Sequence, residues 1–129
     1  MFRTGTSTGP IRRTVIAVDC LLVVLFAVIG RASHSEALSL AGIVRTSWPF
    51  LVGVVAGDLV AGWRRLPPLS LAAGACAWAG ALVLGMLLRA VSGQGTALAF
   101  IVVAAVVLAV LLIGTRLLLR TFVRRRITG

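Results

Sequence analysis

LSLAAGACAWAGALVLGMLLRAVSGQGTALAFIVVAAVVLAVLLIGTRLLL, residues 69–119, decides the fold. Its only charged side chains are Arg89 and Arg116. Leu69–Leu88 is free of charge, and so is Thr96–Thr115, which continues apolar to Leu119 apart from Arg116. A hydrocarbon core ~30 Å thick takes about 20 helical residues to cross, and both runs have that length. Ser92-Gly93-Gln94-Gly95 between them reads as a tight turn.

Working outward, two further runs share this character. Residues 14–30 are interrupted only by Asp19, and residues 46–63 only by Asp58. Pro49 stands near the start of the second run, where a missing N–H is harmless. Trp48 and Trp63 bracket that run as interfacial aromatics do. Pro67-Pro68 closes the link to the third run. The spacing therefore predicts spans over about 14–30, 46–63, 69–88 and 96–119. The apolar segment after the basic residues 1–13 ends in Ile29-Gly30-Arg31, which is no small-residue cleavage pattern, so a retained first helix is expected rather than a signal peptide.

Composition agrees. The 129 residues are 60% hydrophobic, with a mean hydropathy of +1.10. A soluble domain of this size buries only about two thirds of its unfolded surface and could not hide so much apolar side chain. The net charge of +10 comes from 13 Arg and no Lys. These arginines gather at the edges of the apolar runs, which argues for membrane topology and against nucleic acid. Arg3, Arg12, Arg13, Arg64, Arg65, Arg116, Arg120, Arg124, Arg125 and Arg126 make ten on one side; Arg31, Arg45 and Arg89 make three on the other. By the positive-inside rule both termini are cytoplasmic. The expected fold is all-α: an integral four-helix bundle of a single transmembrane domain, N-in and C-in, multi-pass in the plasma membrane. Ser33-His34-Ser35-Glu36 has capping-box spacing ahead of Ala37, Leu38, Leu40, Ile43 and Val44. It predicts a short outer interfacial helix between the first two spans.

Gly53 and Gly57 form a GxxxG step, and Gly74, Ala77, Ala81 and Gly85 a face of small residues. Such faces bring helix backbones close in lipid. Packing inside the bundle is the expected use, and pairing with a second copy the alternative. Cys20 and Cys76 read as small buried hydrophobes.

Two polar groups carry the chemistry. Asp19 lies six residues past Arg13, and Asp58 six before Arg64. The two helices run in opposite directions, so both carboxylates lie at one depth, ~9 Å inside the cytoplasmic boundary. Arg116 enters a similar layer. An ionised Asp in mid-helix costs about 3 kcal/mol on insertion scales, so it must be paired, hydrated or protonated. Asp19 and Asp58 are thus candidates for a proton or cation relay. Structural Asp19–Arg116 or Asp58–Arg65 pairs are the alternative. On the outer side Arg31, His34, Arg45 and Arg89 lie near helix ends, with Glu36 among them and Thr46, Trp48, Gln94 and Thr96 adding polar groups. Three arginines and one imidazole suit an anion or a pH response. Arginines anchoring helix ends to phospholipid give the plainer account. No HExxH, GxSxG, P-loop or GxGxxG is present, so no metal, no cofactor and no enzyme activity is expected.

Asp19, Phe26, Gly30-Arg31, His34, Arg45-Thr46, Trp48-Pro49-Phe50, Met86-Leu87-Leu88-Arg89, Gly93-Gln94-Gly95-Thr96 and Phe100 follow one another in an order that resembles a known family. That family is the small bacterial and archaeal membrane proteins known as domain of unknown function 3054. The resemblance covers roughly Val18 to Ile113. It implies a four-helix membrane protein without an assigned activity. It adds weight to Asp19, Arg31, His34, Arg45, Trp48 and Arg89, and leaves Asp58 outside its pattern. Size and Asp19 are also similar to the small multidrug transporters, whose motifs and weak charge bias are missing here. The expected function is a small transporter or channel for a proton-coupled or anionic solute. An accessory or assembly subunit of a larger membrane complex is the alternative. The partners expected are the lipid bilayer and either a homo-oligomer or such a complex.

Overall fold

The apolar runs are helical, the third and fourth from Leu71 and Leu98 onward. The computed structural model describes residues 9–33 and 36–128. Among these, four helices are long and apolar enough to cross a membrane: α1 Gly9–Ser33, α2 Leu40–Trp63, α3 Leu71–Val91 and α4 Leu98–Val123. The last continues as helix to Thr128. α3 and α4 each contain one π-helical turn, Gly80–Leu84 and Ala109–Ile113.

The links between helices are built from caps. At the end of α2 the Leu66 N–H returns to the Ala61 carbonyl at 2.9 Å, and Arg65 takes the left-handed φ of 59° that such a closure requires. Ser70 caps α3, accepting from the Ala73 N–H at 3.0 Å and donating to the Pro67 carbonyl at 2.7 Å. The α3–α4 turn repeats the first closure: Gln94 N–H reaches the Arg89 carbonyl at 2.8 Å, and Gly93 supplies a φ of 82°.

One expectation is overturned. Among the described residues, no separate interfacial helix forms between α1 and α2. Leu40–Val44 is the opening of α2 itself, because Ser39 caps it through the Gly42 N–H at 3.0 Å. Ser33 ends α1, and the Glu36 N–H closes that end on the Arg31 carbonyl at 2.8 Å. Ser33 therefore ends one helix instead of starting another. Pro49 accordingly lies inside α2 rather than in its first turn.

α2 is central, packing on α1 along one side and on α3 along the other. The α2–α3 contact is backbone to backbone. A Cβ on Gly57 would stand 2.9 Å from Cα of Ala77 and closer still to the Cys76 carbonyl oxygen, and one on Gly80 would stand 2.8 Å from Cα of Gly57. The small residues thus serve packing within the chain. Gly80, three residues past Ala77, belongs to that face although the series Gly74, Ala77, Ala81 and Gly85 passes over it. Gly74 turns instead toward α4, where a Cβ would lie 2.8 Å from Cδ of Arg116. The Trp78 indole ties α3 to α4 by donating to the Ala105 carbonyl at 2.8 Å. Val23, Val54, Ala77, Ala81, Leu108 and Leu112 fill the centre. Phe26, Phe50 and Phe100 meet above it, with ring centroids 5.2–6.2 Å apart.

Candidate functional site

Along α1 the buried positions run Asp19, Val23, Phe26; along α2 in reverse, Asp58, Val54, Phe50. This antiparallel register places one polar centre below the aromatic cluster and leaves a second above it.

The lower centre is Asp19, Asp58 and Arg116, each at most 4% exposed. Arg116 grips Asp19 in a bidentate fork, Nη1 to Oδ1 at 2.8 Å and Nη2 to Oδ2 at 2.9 Å. Nη2 also reaches Asp58 Oδ1 at 3.3 Å. The remaining donors go to backbone: Nε to the Pro68 carbonyl at 3.2 Å and Nη1 to that of Leu112 at 3.2 Å. All five guanidinium N–H groups therefore have an acceptor. Asp58 Oδ2 has none, although it is buried. One cation faces two carboxylates, and one carboxylate oxygen is left over. The sequence places these three residues in one layer, and the structure brings them into contact. It pairs Asp58 with Arg116 and not with Arg65, which occupies the left-handed turn after α2. The Pro68 carbonyl and the space above Gly74 are the parts that residue spacing passes over. Both follow from the Pro67-Pro68 link and from the absence of a side chain at Gly74.

The upper centre is a cavity of about 810 Å³ lined by Arg31, Arg45 and Arg89, with Thr46 and Gln94 between them and the Phe26 and Phe100 rings at its floor. Arg89 is fixed on three sides. Nε and Nη2 donate to the Gly95 carbonyl at 3.0 and 2.8 Å, Nη1 donates to Gln94 Oε1 at 3.0 Å, and the guanidinium lies 4.3 Å from the Phe100 ring centre. Gln94 in turn donates to the Arg45 carbonyl at 3.0 Å. Pro49 has no N–H to give that carbonyl, so the glutamine replaces the helix bond that proline removes. Arg31 donates to the Ala37 carbonyl at 2.7 Å and to Thr46 Oγ1 at 3.0 Å, and Glu36 lies 3.7 Å away. Its guanidinium rests on α2 where Gly42 has no side chain: a Cβ there would lie 2.6 Å from Cζ. The Arg45 guanidinium finds no acceptor among the described residues. Glu36 is the only carboxylate lining the cavity among them.

Of the outer residues singled out in the sequence, Arg31, Glu36, Arg45, Thr46, Arg89 and Gln94 thus share one cavity. Thr96 and Trp48 do not line it and stay exposed, Thr96 past the turn and Trp48 on the side of α2. His34 lies outside the described residues. Phe100 and the Gly95 carbonyl belong to the site by contact. The family resemblance marks both positions, and the fold shows that they meet Arg89.

No curated protein and no solved structure matches the chain. The family described as "Protein of unknown function (DUF3054)" matches residues 16–119, most of the chain, and the protein belongs to it.

Proposed function

We propose that this protein is a multi-pass plasma-membrane carrier with both termini cytoplasmic, which takes an anionic solute from the outer side and moves it together with protons. The observation that carries this reading is the guanidinium cavity: three arginines from α1, α2 and α3 face one space of about 810 Å³ against a single carboxylate, Glu36, among the described residues. Charge of one sign in a low-dielectric cleft concentrates counter-ions, and planar guanidinium forks suit carboxylate or phosphate.

Orientation follows from the arginines, ten on the side of the termini and three at the cavity mouth. The lower centre supplies the proton. Arg116 neutralises one of its two carboxylates, and a proton on Asp58 brings the group to zero net charge and covers the oxygen left without a partner. Between the two centres stand the rings of Phe26, Phe50 and Phe100, so passage requires them to part.

Proteoliposomes with a pH dye inside test this. External phosphate, sulfate or gluconate should acidify the lumen in the wild type. Asp58→Asn and Arg89→Gln should each slow the acidification at least about tenfold, the equivalent of ~1.4 kcal/mol. Proton movement that ignores all three anions, or that both variants perform at the wild-type rate, contradicts the proposal.

A further inference from the structure

The cavity is larger and less uniform than a small inorganic anion requires. Its volume of about 810 Å³ falls in the ~300–1,000 Å³ range of pockets that enclose drug-sized organic ligands. Its lining is also mixed. Arg31, Arg45, Arg89 and Gln94 make one part polar, whereas Ala99, Phe100 and Val103 make another apolar. Val103 lies ~7 Å inside the start of α4. A phosphate or sulfate ion has no use for that apolar strip.

The strip also reaches the side of the bundle. α1 packs chiefly on α2 and touches α4 sparsely. Val103 lines the cavity yet is 51% exposed, and Ala99 one turn above it is exposed as well. Across the seam, Gly30 faces open space: a Cβ there meets nothing within 4 Å. Apart from the Phe26–Phe100 ring contact, no packing among the described residues closes the gap between α1 and α4 at this depth, which is the depth of lipid chains.

Charge narrows the head group. Three arginines and Glu36 leave an excess of two positive charges in the cavity among the described residues. Arg89 retains one uncommitted N–H on each terminal nitrogen, and Arg45 retains all of its own. A phosphate monoester, near −2 at neutral pH, balances this, whereas a phosphodiester carries one charge too few.

We propose that the anion of the outer cavity is an amphiphilic phosphate monoester, its head against Arg31, Arg45 and Arg89 and its apolar chain leaving the bundle between α1 and α4. This rests on the anion reading above and names the ligand class of the same site. The chain lies over Ala99 and Val103 and displaces no protein side chain, because Gly30 has none.

The test is calorimetric titration of the full chain in neutral detergent micelles with inorganic phosphate, octyl phosphate and phosphatidic acid. The variants are Gly30→Phe, whose ring enters the open space, Gly30→Leu as a smaller version, and Arg89→Gln. Both amphiphiles should bind at least about tenfold tighter than inorganic phosphate. Gly30→Phe and Gly30→Leu should weaken the amphiphiles and leave inorganic phosphate unchanged, and Arg89→Gln should weaken all three. Preference for phosphatidic acid over octyl phosphate assigns the ligand to the membrane, and the reverse assigns it to the water phase; either supports the proposal. Equal affinity for all three probes, untouched by either Gly30 variant but lowered by Arg89→Gln, overturns the amphiphile while the anion site stands. Affinities that ignore Arg89 overturn both.

Discussion

Arg116→Met should cost the bundle about 3–5 kcal/mol, the penalty of leaving buried charge without its partner. The substitution keeps an unbranched apolar stem in the space above Gly74, so packing loss is small. The electrostatic loss is not. Arg116 satisfies both oxygens of Asp19 and one of Asp58, and no other cation contacts either carboxylate among the described residues. Without it two carboxyl groups at most 4% exposed must take up protons or draw in water. Adding Asp19→Asn and Asp58→Asn to Arg116→Met removes the charges and should recover most of the loss. Unfolding of the purified proteins in mixed micelles measures both steps. If Arg116→Met alone is as stable as the wild type, the buried triad is not what joins α1, α2 and α4.

Gly57→Val should be the other severe variant. Its Cβ would stand 2.9 Å from Cα of Ala77 and nearer to the Cys76 carbonyl oxygen. Those are backbone atoms on the facing helix, and no rotamer can move them aside. Overpacking of a tight core costs about 1–3 kcal/mol where neighbours can shift, and here the whole of α3 must retreat. The expected outcome is a large loss of folded protein from the membrane. Gly30→Ala, which adds its methyl to open space, should be neutral. The experiment also separates the two uses of the glycine face. If Gly57→Val folds normally and only changes the mass of the particle, the face pairs two copies and not α2 with α3.

Much of this arrangement is legible in residue order. Four apolar runs give four helices, and the depth of Asp19 and Asp58 on oppositely directed helices puts them in one layer with Arg116. Partner choice is not legible. Arg65 is nearer to Asp58 in sequence than Arg116 is, but the closure at the end of α2 holds it in a left-handed turn. Helix starts mislead for a related reason. Ser33-His34-Ser35-Glu36 has the spacing of a cap, but it is Ser39 that has its oxygen on an N–H of the next turn. Pro49 looks like a first-turn residue until Gln94, distant in the chain, is found on the Arg45 carbonyl that proline leaves bare. Such long-range repairs leave no periodic trace in the sequence. The cavity is illegible too, since it is the gap left where α1 and α4 fail to close.

The most direct test of the account is the thermal stability of the solubilised protein with and without added anion. A ligand that binds the folded state alone stabilises it by about 2.7 kcal/mol at one hundred times its Kd. If the arginine cavity is an anion site, phosphate or an alkyl phosphate should raise the Tm of the wild type in a saturable way. The triple variant Arg31→Gln/Arg45→Gln/Arg89→Gln should fold but show no such rise. A wild-type Tm indifferent to every anion, or a triple variant that responds as the wild type does, contradicts the central claim.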